Sequence, residues 1–117
     1  MNIINLMPHA ITLRFPSGQE MVIPPSGQVA RVASIPGAVT LRSLTPSGVS
    51  IPVAGPTQYG DVEGIPAADE GTVYLVSALV LARVTRSDVF APGTGPNDGA
   101  IRKDGQVVAV TRLIASV

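Results

Sequence analysis

Side chains suited to chemistry are few and widely spaced in this chain of 117 residues. His9 is its single histidine, so any general base would rest on it alone. Set between Pro8 and an apolar run, it reads as a packing or capping residue, with an edge contact to a ligand ring as the functional alternative. Asp61, Glu63, Asp69 and Glu70 lie within twelve residues. They lack the spacing of a calcium loop, and nothing sets two of them across one cleft as general acid and base. In Gly93-Thr94-Gly95 neither a Gly-Lys-Ser/Thr nor a helix start follows, which excludes a phosphate loop and a dinucleotide fingerprint. Its glycines would still let backbone N–H groups approach a ligand, and Thr94 adds a hydroxyl. These patterns give little support to an enzyme, a metal site or a cofactor.

The combination with most chemical content is Ser77 at the start of a helical run, with Arg83, Arg86 and Arg102 elsewhere in the C-terminal half. Free N–H groups at a helix start attract anions such as phosphate. If the glycine-rich loop and the last hairpin fold back over the helix, Arg86, Thr94 and Arg102 converge on one anionic ligand. The opposing reading is that Ser77 only caps the helix and that Arg86 pairs with Asp88 or with the acidic stretch. Tyr59, beside Gly60, is the aromatic placed to stack on a base or pack on another subunit, whereas Tyr74 reads as core.

Composition narrows the classes further. Eight basic and eight acidic residues leave no net charge, so the field that draws proteins onto nucleic acid or anionic lipid is missing. With 45% hydrophobic and 14% charged residues the chain is too apolar to stay disordered. A small uncharged domain has little repulsion between copies, and a core short of aromatics gains from burial between subunits, so a homo-oligomer is expected. Cysteine is absent, which excludes disulfides and thiolate chemistry. No run approaches the roughly 18 to 20 apolar residues of a membrane span, and the first residues have no signal-peptide pattern. A soluble, cytoplasmic protein forming one domain over residues 1–117 is the expectation.

Eleven prolines and twelve glycines cut the chain into short runs of Val, Ile, Leu and Thr, which is β punctuation. Strands are expected at Asn2 to Leu6, Ala10 to Phe15, Gln19 to Ile23, Gln28 to Ser34, Ala38 to Leu44 and Val49 to Val53. Tyr59 to Glu70 reads as an acidic surface loop. Thr72 to Val76 reads as a buried strand, followed by a short helix from Ser77 to Arg86; the rival is one long strand from Thr72 to Val84. Ala91 to Gly99 reads as a long excursion and the main candidate functional loop. Asp104-Gly105 predicts a closing hairpin of Ala100 to Lys103 with Gln106 to Ile114. The fold class is therefore α+β, mostly antiparallel β in a small barrel or sandwich, with one short helix near 77–86.

Ile4-Asn5-Leu6-Met7-Pro8-His9-Ala10-Ile11-Thr12-Leu13 resembles the Asn-Leu-Thr-Pro-His-Ala opening of a family of small tailed-phage and prophage proteins. Pro24-Pro25-Ser26-Gly27 with Val29-Ala30-Arg31-Val32 is similar to its second block. Glu63-Gly64-Ile65-Pro66 with Glu70 to Val80 is similar to its third. Arg86-Ser87-Asp88, Pro92-Gly93 and Arg102-Lys103-Asp104-Gly105 echo its ending, while Met7 and the loop Thr94 to Asn97 depart from the pattern. The resemblance implies a phage origin and brings no activity with it. By analogy with small phage proteins, the expected function is non-enzymatic: sequestering an anionic, nucleotide-type ligand such as a host immune signal, in the infected cell. Ser77, Arg83, Arg86, Thr94, Arg102, Tyr59 and His9 are the candidate ligand contacts. The alternative is a decoration or host-protein-binding protein with no small ligand, associated with the virion.

Overall fold

Short apolar runs between prolines and glycines become twelve strands and one helical turn in the computed structural model, which describes all residues, Met1–Val117. Strand takes up 45% of the chain and helix 3%, so the fold is β-rich and the helical share is smaller than expected. Contacts group the chain into two compact units: Met1–Arg31 with Val62–Val117, and the inserted unit Val32–Asp61.

In the first unit, β1 (Asn2–Asn5), β8 (Thr72–Leu75), β9 (Val89–Pro92) and β12 (Leu113–Ala115) form one sheet in the order β1-β8-β9-β12. β8 runs parallel to both of its neighbours, with Asn5 opposite Leu75 and Leu75 opposite Phe90. β9 and β12 are antiparallel. A central strand flanked by parallel partners is covered on both faces and reads as a continuous apolar run; Tyr74, Leu75 and Val76 are all buried. The remaining described pairings are hairpins: β2 (Ile11–Arg14) with β3 (Glu20–Ile23), and β10 (Ile101–Lys103) with β11 (Gln106–Ala109). Asp104 and Gly105 both have positive φ in the latter turn, as the Asp-Gly signal predicts. None of the sheets closes on itself, so the expected barrel is not formed.

The core of this unit joins the sheet to the hairpins. Met7, Ile11, Leu13, Ile23, Leu75 and Val110 form a buried cluster, with Ile3, Phe90, Val107 and Leu113 packed against it. Backbone bonds tie the layers: Arg14 N–H donates to the Val110 carbonyl and Val110 N–H to the Thr12 carbonyl, each at 2.8 Å.

The helix is shorter than the expected Ser77 to Arg86. α1 spans only Ala78–Leu81, with Ser77 as N-cap and Ala82 as C-cap. Turn bonds from Arg83 N–H to the Val80 carbonyl and from Val84 N–H to the Leu81 carbonyl then end it. The reason is the crossover: parallel β8 and β9 need a connection of about a dozen residues. A helix continuing to Arg86 would leave only Ser87 and Asp88 to re-enter the sheet. The rival long strand from Thr72 to Val84 is likewise absent.

The inserted unit contains β5 (Val39–Ser43) paired antiparallel with β6 (Ser50–Ala54), and the pairing of β4 (Arg31–Ile35) with β7 (Gln58–Glu63) carries the chain in and out. β7 corrects the expected Tyr59 to Glu70 loop, whose first residues, Tyr59 included, are strand. Val62 and Tyr59 make that stretch a better strand former than its acids suggest. At the open end of the β5–β6 ribbon two backbones touch: a side chain at Gly37 would lie 2.4 Å from the Gly55 carbonyl. Not one residue of Val32–Asp61 is buried.

Asn5 is the polar group that the first unit is built around. It is 1% exposed. Its Nδ2 donates to the carbonyls of His9 (2.9 Å) and Ile23 (3.1 Å), and its Oδ1 accepts from Met7 N–H at 2.9 Å. Replacing it with leucine keeps the volume and strands all three partners. Each unsatisfied buried group costs about 1 to 3 kcal/mol, so Asn5→Leu is expected to lower stability by about 3 kcal/mol or more, read as a lower urea midpoint at unchanged slope.

Candidate functional site

The excursion Ala91 to Gly99 begins with two strand residues, because β9 extends through Pro92, and a tight turn closes at Gly95 to Asp98. Asp98 Oδ2 accepts the Gly95 N–H at 2.8 Å. A side chain at Gly95 would sit 2.7 Å from that same oxygen. A larger residue there would displace the Asp98 carboxylate, and the Gly95 N–H is turned inward to it.

An open cleft of about 640 Å³ lies between α1 and this loop, and Ala78, Leu81, Thr85, Thr94, Asp98 and Ser116 are among its lining residues. Its size falls within the range of small-molecule sites. No Arg, Lys or His lines it; the single ionisable group on its wall is Asp98. The local field therefore disfavours an anion.

The expected ligand contacts are distributed as follows. Ser77 is exposed and its hydroxyl accepts the Val80 N–H at 3.4 Å, so it caps α1. With four helical residues, α1 develops too little aligned dipole to hold an anion. Arg83 lies exposed in the turn after the helix. Arg102 and Thr94 do come together, but through the backbone: the Arg102 guanidinium donates to the Thr94 carbonyl at 2.8 Å, tying β10 to the loop. His9 and Thr94 line a small cleft of about 150 Å³ with Val107 to Val110. His9 contributes its carbonyl to Asn5. Tyr59 stands on β7 of the inserted unit, 41% exposed.

Arg86 is engaged elsewhere. Its Nε and Nη2 form a two-pronged pair with Asp88, at 2.9 and 2.7 Å, and its Nη1 donates to the Pro66 carbonyl at 3.0 Å. The guanidinium carbon lies 5.8 Å from the centre of the Tyr74 ring, within cation–π range. Tyr74 in turn donates its hydroxyl to the Ala67 carbonyl at 3.3 Å. The Ser116 hydroxyl accepts from Arg86 N–H and donates to the Arg86 carbonyl, closing a reciprocal pair with the last strand. Of the two sequence readings, pairing with Asp88 is the one formed. The charges also reinforce each other: hydrogen bonding from Arg86 holds the Asp88 carboxyl below its usual range, and hydrogen bonding to Asp88 raises Arg86. Arg86 and Asp88 line a second cleft of about 560 Å³ together with Asp69 and Glu70, whereas Thr94 lines the clefts beside α1 and beside His9.

Two groups escaped sequence reasoning. Ser116 sits in an apolar terminal run with no turn signal. Asn5 left a trace, because asparagine is depleted in strands and here follows Ile3-Ile4.

No group of three or more His, Asp or Glu side chains gathers as a metal site would need. No helix is long and apolar enough to cross a membrane. Compared with protein-family models, curated proteins and solved structures, the chain matches none.

The Arg86–Asp88 clamp has a pH signature. Asp88 is more acidic when folded, so its contribution is present above the unfolded value of about 3.9 and is lost as pH falls through the lower folded value. Asp88→Asn is expected to cost about 1 kcal/mol at neutral pH, since the pair is partly open to water. It should also flatten the decline of stability below about pH 4. Thermal unfolding at stepped pH checks both.

Proposed function

We propose that this chain is a non-catalytic structural protein of a tailed phage, working through protein contact and holding no small ligand. The observation that carries the reading is the inserted unit. It presents Ile35, Val39 and Leu41 on strands and Leu44 and Val49 beside the turn that joins β5 to β6, at between 56% and 71% exposure. Large apolar side chains exposed together on one small unit support a contact role, since such surface marks contact sites on folded proteins.

The polar groups support the same reading from the other side. Arg86 is committed to Asp88 and Pro66, Arg102 to Thr94, and Ser77 to the helix start. They stitch elements together. In the first unit the β2–β3 and β10–β11 hairpins lie over the four-stranded sheet through the shared cluster, which supports the sandwich form of the expected architecture. Virion decoration suits a chain whose rigid unit is internally satisfied and whose second unit is apolar and open.

Sequestration of a nucleotide-type anion is the second reading. The size of the cleft beside α1 favours it, and the absence of a cation on the wall counts against it.

Mass spectrometry of material released by heating the purified protein separates the two. A structural protein should release no nucleotide, and a panel of nucleotides should leave its melting temperature unchanged. An intact nucleotide in the supernatant, or stabilisation near the ~2.7 kcal/mol expected at a hundredfold excess over Kd, would overturn the structural reading in favour of sequestration.

A further inference from the structure

We infer that the free edge of β12 takes up an extended segment of a partner protein as a further strand, with one aliphatic and one basic side chain of that segment entering the cleft beside α1. The inference rests on the structural reading above and gives that cleft an occupant other than a small ligand.

β12 ends the four-stranded sheet, with β9 as its one strand neighbour. Leu113 stands opposite Pro92 and Ile114 opposite Ala91, and the Gly93 N–H donates to the Arg112 carbonyl at 3.0 Å. In an antiparallel pair the backbone groups of successive residues point alternately toward the neighbouring strand and away from it. Those of Arg112 and Ile114 therefore face β9, and those of Leu113 and Ala115 face outward at the spacing of a ladder. Donors and acceptors set out in this way match another extended backbone, which is how sheets recruit a strand from a second protein.

The cleft lies against this edge. Ile114, Ala115 and Ser116 all line it, so it follows β12 along consecutive residues. Side chains alternate across a strand, and every second side chain of an added strand falls on the same face as Ile114, over the cleft. The small side chains of Ala78, Ala82 and Ala91 leave the space open, and Leu81 beside them gives an aliphatic side chain an apolar wall to pack on.

Charge selects the other side chain. Asp98 is the one ionisable group lining the cleft. Its Oδ2 holds the Gly95 N–H, while its Oδ1 accepts no hydrogen bond. The ion pairs of the chain are Arg14–Glu20 and Arg86–Asp88, so no cation neutralises Asp98. Arg112, whose stem passes Gly93, lines a different and smaller cleft with Phe15. A Lys or Arg two residues from the aliphatic one is therefore favoured, and an acidic residue there is repelled. A free amine or guanidinium compound would use the carboxylate and leave the edge unpaired, whereas a strand satisfies both.

The test is amide hydrogen exchange and chemical-shift mapping by NMR on the full isotope-labelled chain. The probes are the peptide acetyl-Thr-Arg-Thr-Val-Thr-amide, its counterpart with Glu in place of Arg, and methylguanidine. The Arg peptide should slow exchange at Leu113 and Ala115, leave Ile114 as it was, and shift the signals of Gly95 and Asp98; the Glu peptide should do none of this. Asp98→Asn keeps an oxygen for the Gly95 N–H and should weaken binding of the Arg peptide about fivefold, as loss of a partly exposed ion pair does. Absence of binding, equal binding of the two peptides, shifts without slowed exchange at Leu113 and Ala115, or indifference to Asp98→Asn would each overturn the inference. So would exchange at those two residues that slows with protein concentration alone, which would give the edge to a second copy of the chain. All of these outcomes leave the ligand-free structural reading standing, because the inserted unit carries it. The same shifts with methylguanidine alone would remove both, since the cleft would then hold a small cation.

Discussion

The first unit depends on a carboxamide that never meets water. Asn5 ends β1, and its three side-chain bonds reach the turn at Met7 to His9 and the end of β3 at Ile23. Its carbonyl takes two more, from the backbone N–H and the hydroxyl of Ser26. Away from water such bonds are strengthened, and their loss is not repaired by solvent. The consequence is positional: with Asn5 fixed opposite Leu75, the parallel pairing stops at a set place and the crossover begins there. Every later element of the sheet inherits that origin.

Local chemistry was legible and distant pairing was not. Pro16-Ser17-Gly18 and Asp104-Gly105 announced their hairpins because turns are encoded in the residues that make them. The pairing of β1 with β8 joins residues 70 positions apart, and no local signal specifies it. Only the unbroken apolar run at Tyr74 to Val76 hinted at a strand covered on both faces. The helix was placed correctly at its start, where Ser77 caps it, and too long at its end, where the return to the sheet outweighed propensity. The Arg86–Asp88 pair belonged to the favoured of two readings, because partners two residues apart are legible locally, whereas convergence of Arg86 with Thr94 and Arg102 depended on long-range placement.

Charge is used differently in the two units. In the first, arginines bind backbone carbonyls and a neighbouring carboxylate, so that long side chains act as struts between loops and strands. A guanidinium held this way on three sides, as Arg86 is, has few donors left for a guest. In the second, charge is almost absent and apolar side chains stand in the open. The contrast separates a unit built around a buried core from one in which no residue is buried.

The contact of Gly37 with Gly55 bears on how this chain can vary. The two backbones pass where a methyl group would not fit, and the ribbon opens beyond them toward the turn at Thr45 to Gly48. Residue pairs added or removed at that far turn would lengthen or shorten the ribbon in even steps while leaving the crossing and the identity of each face intact. A single residue gained in one strand near the glycines would instead invert every side chain after it. Evolution is therefore free to tune the reach of the ribbon at its tip and is held fast at its root.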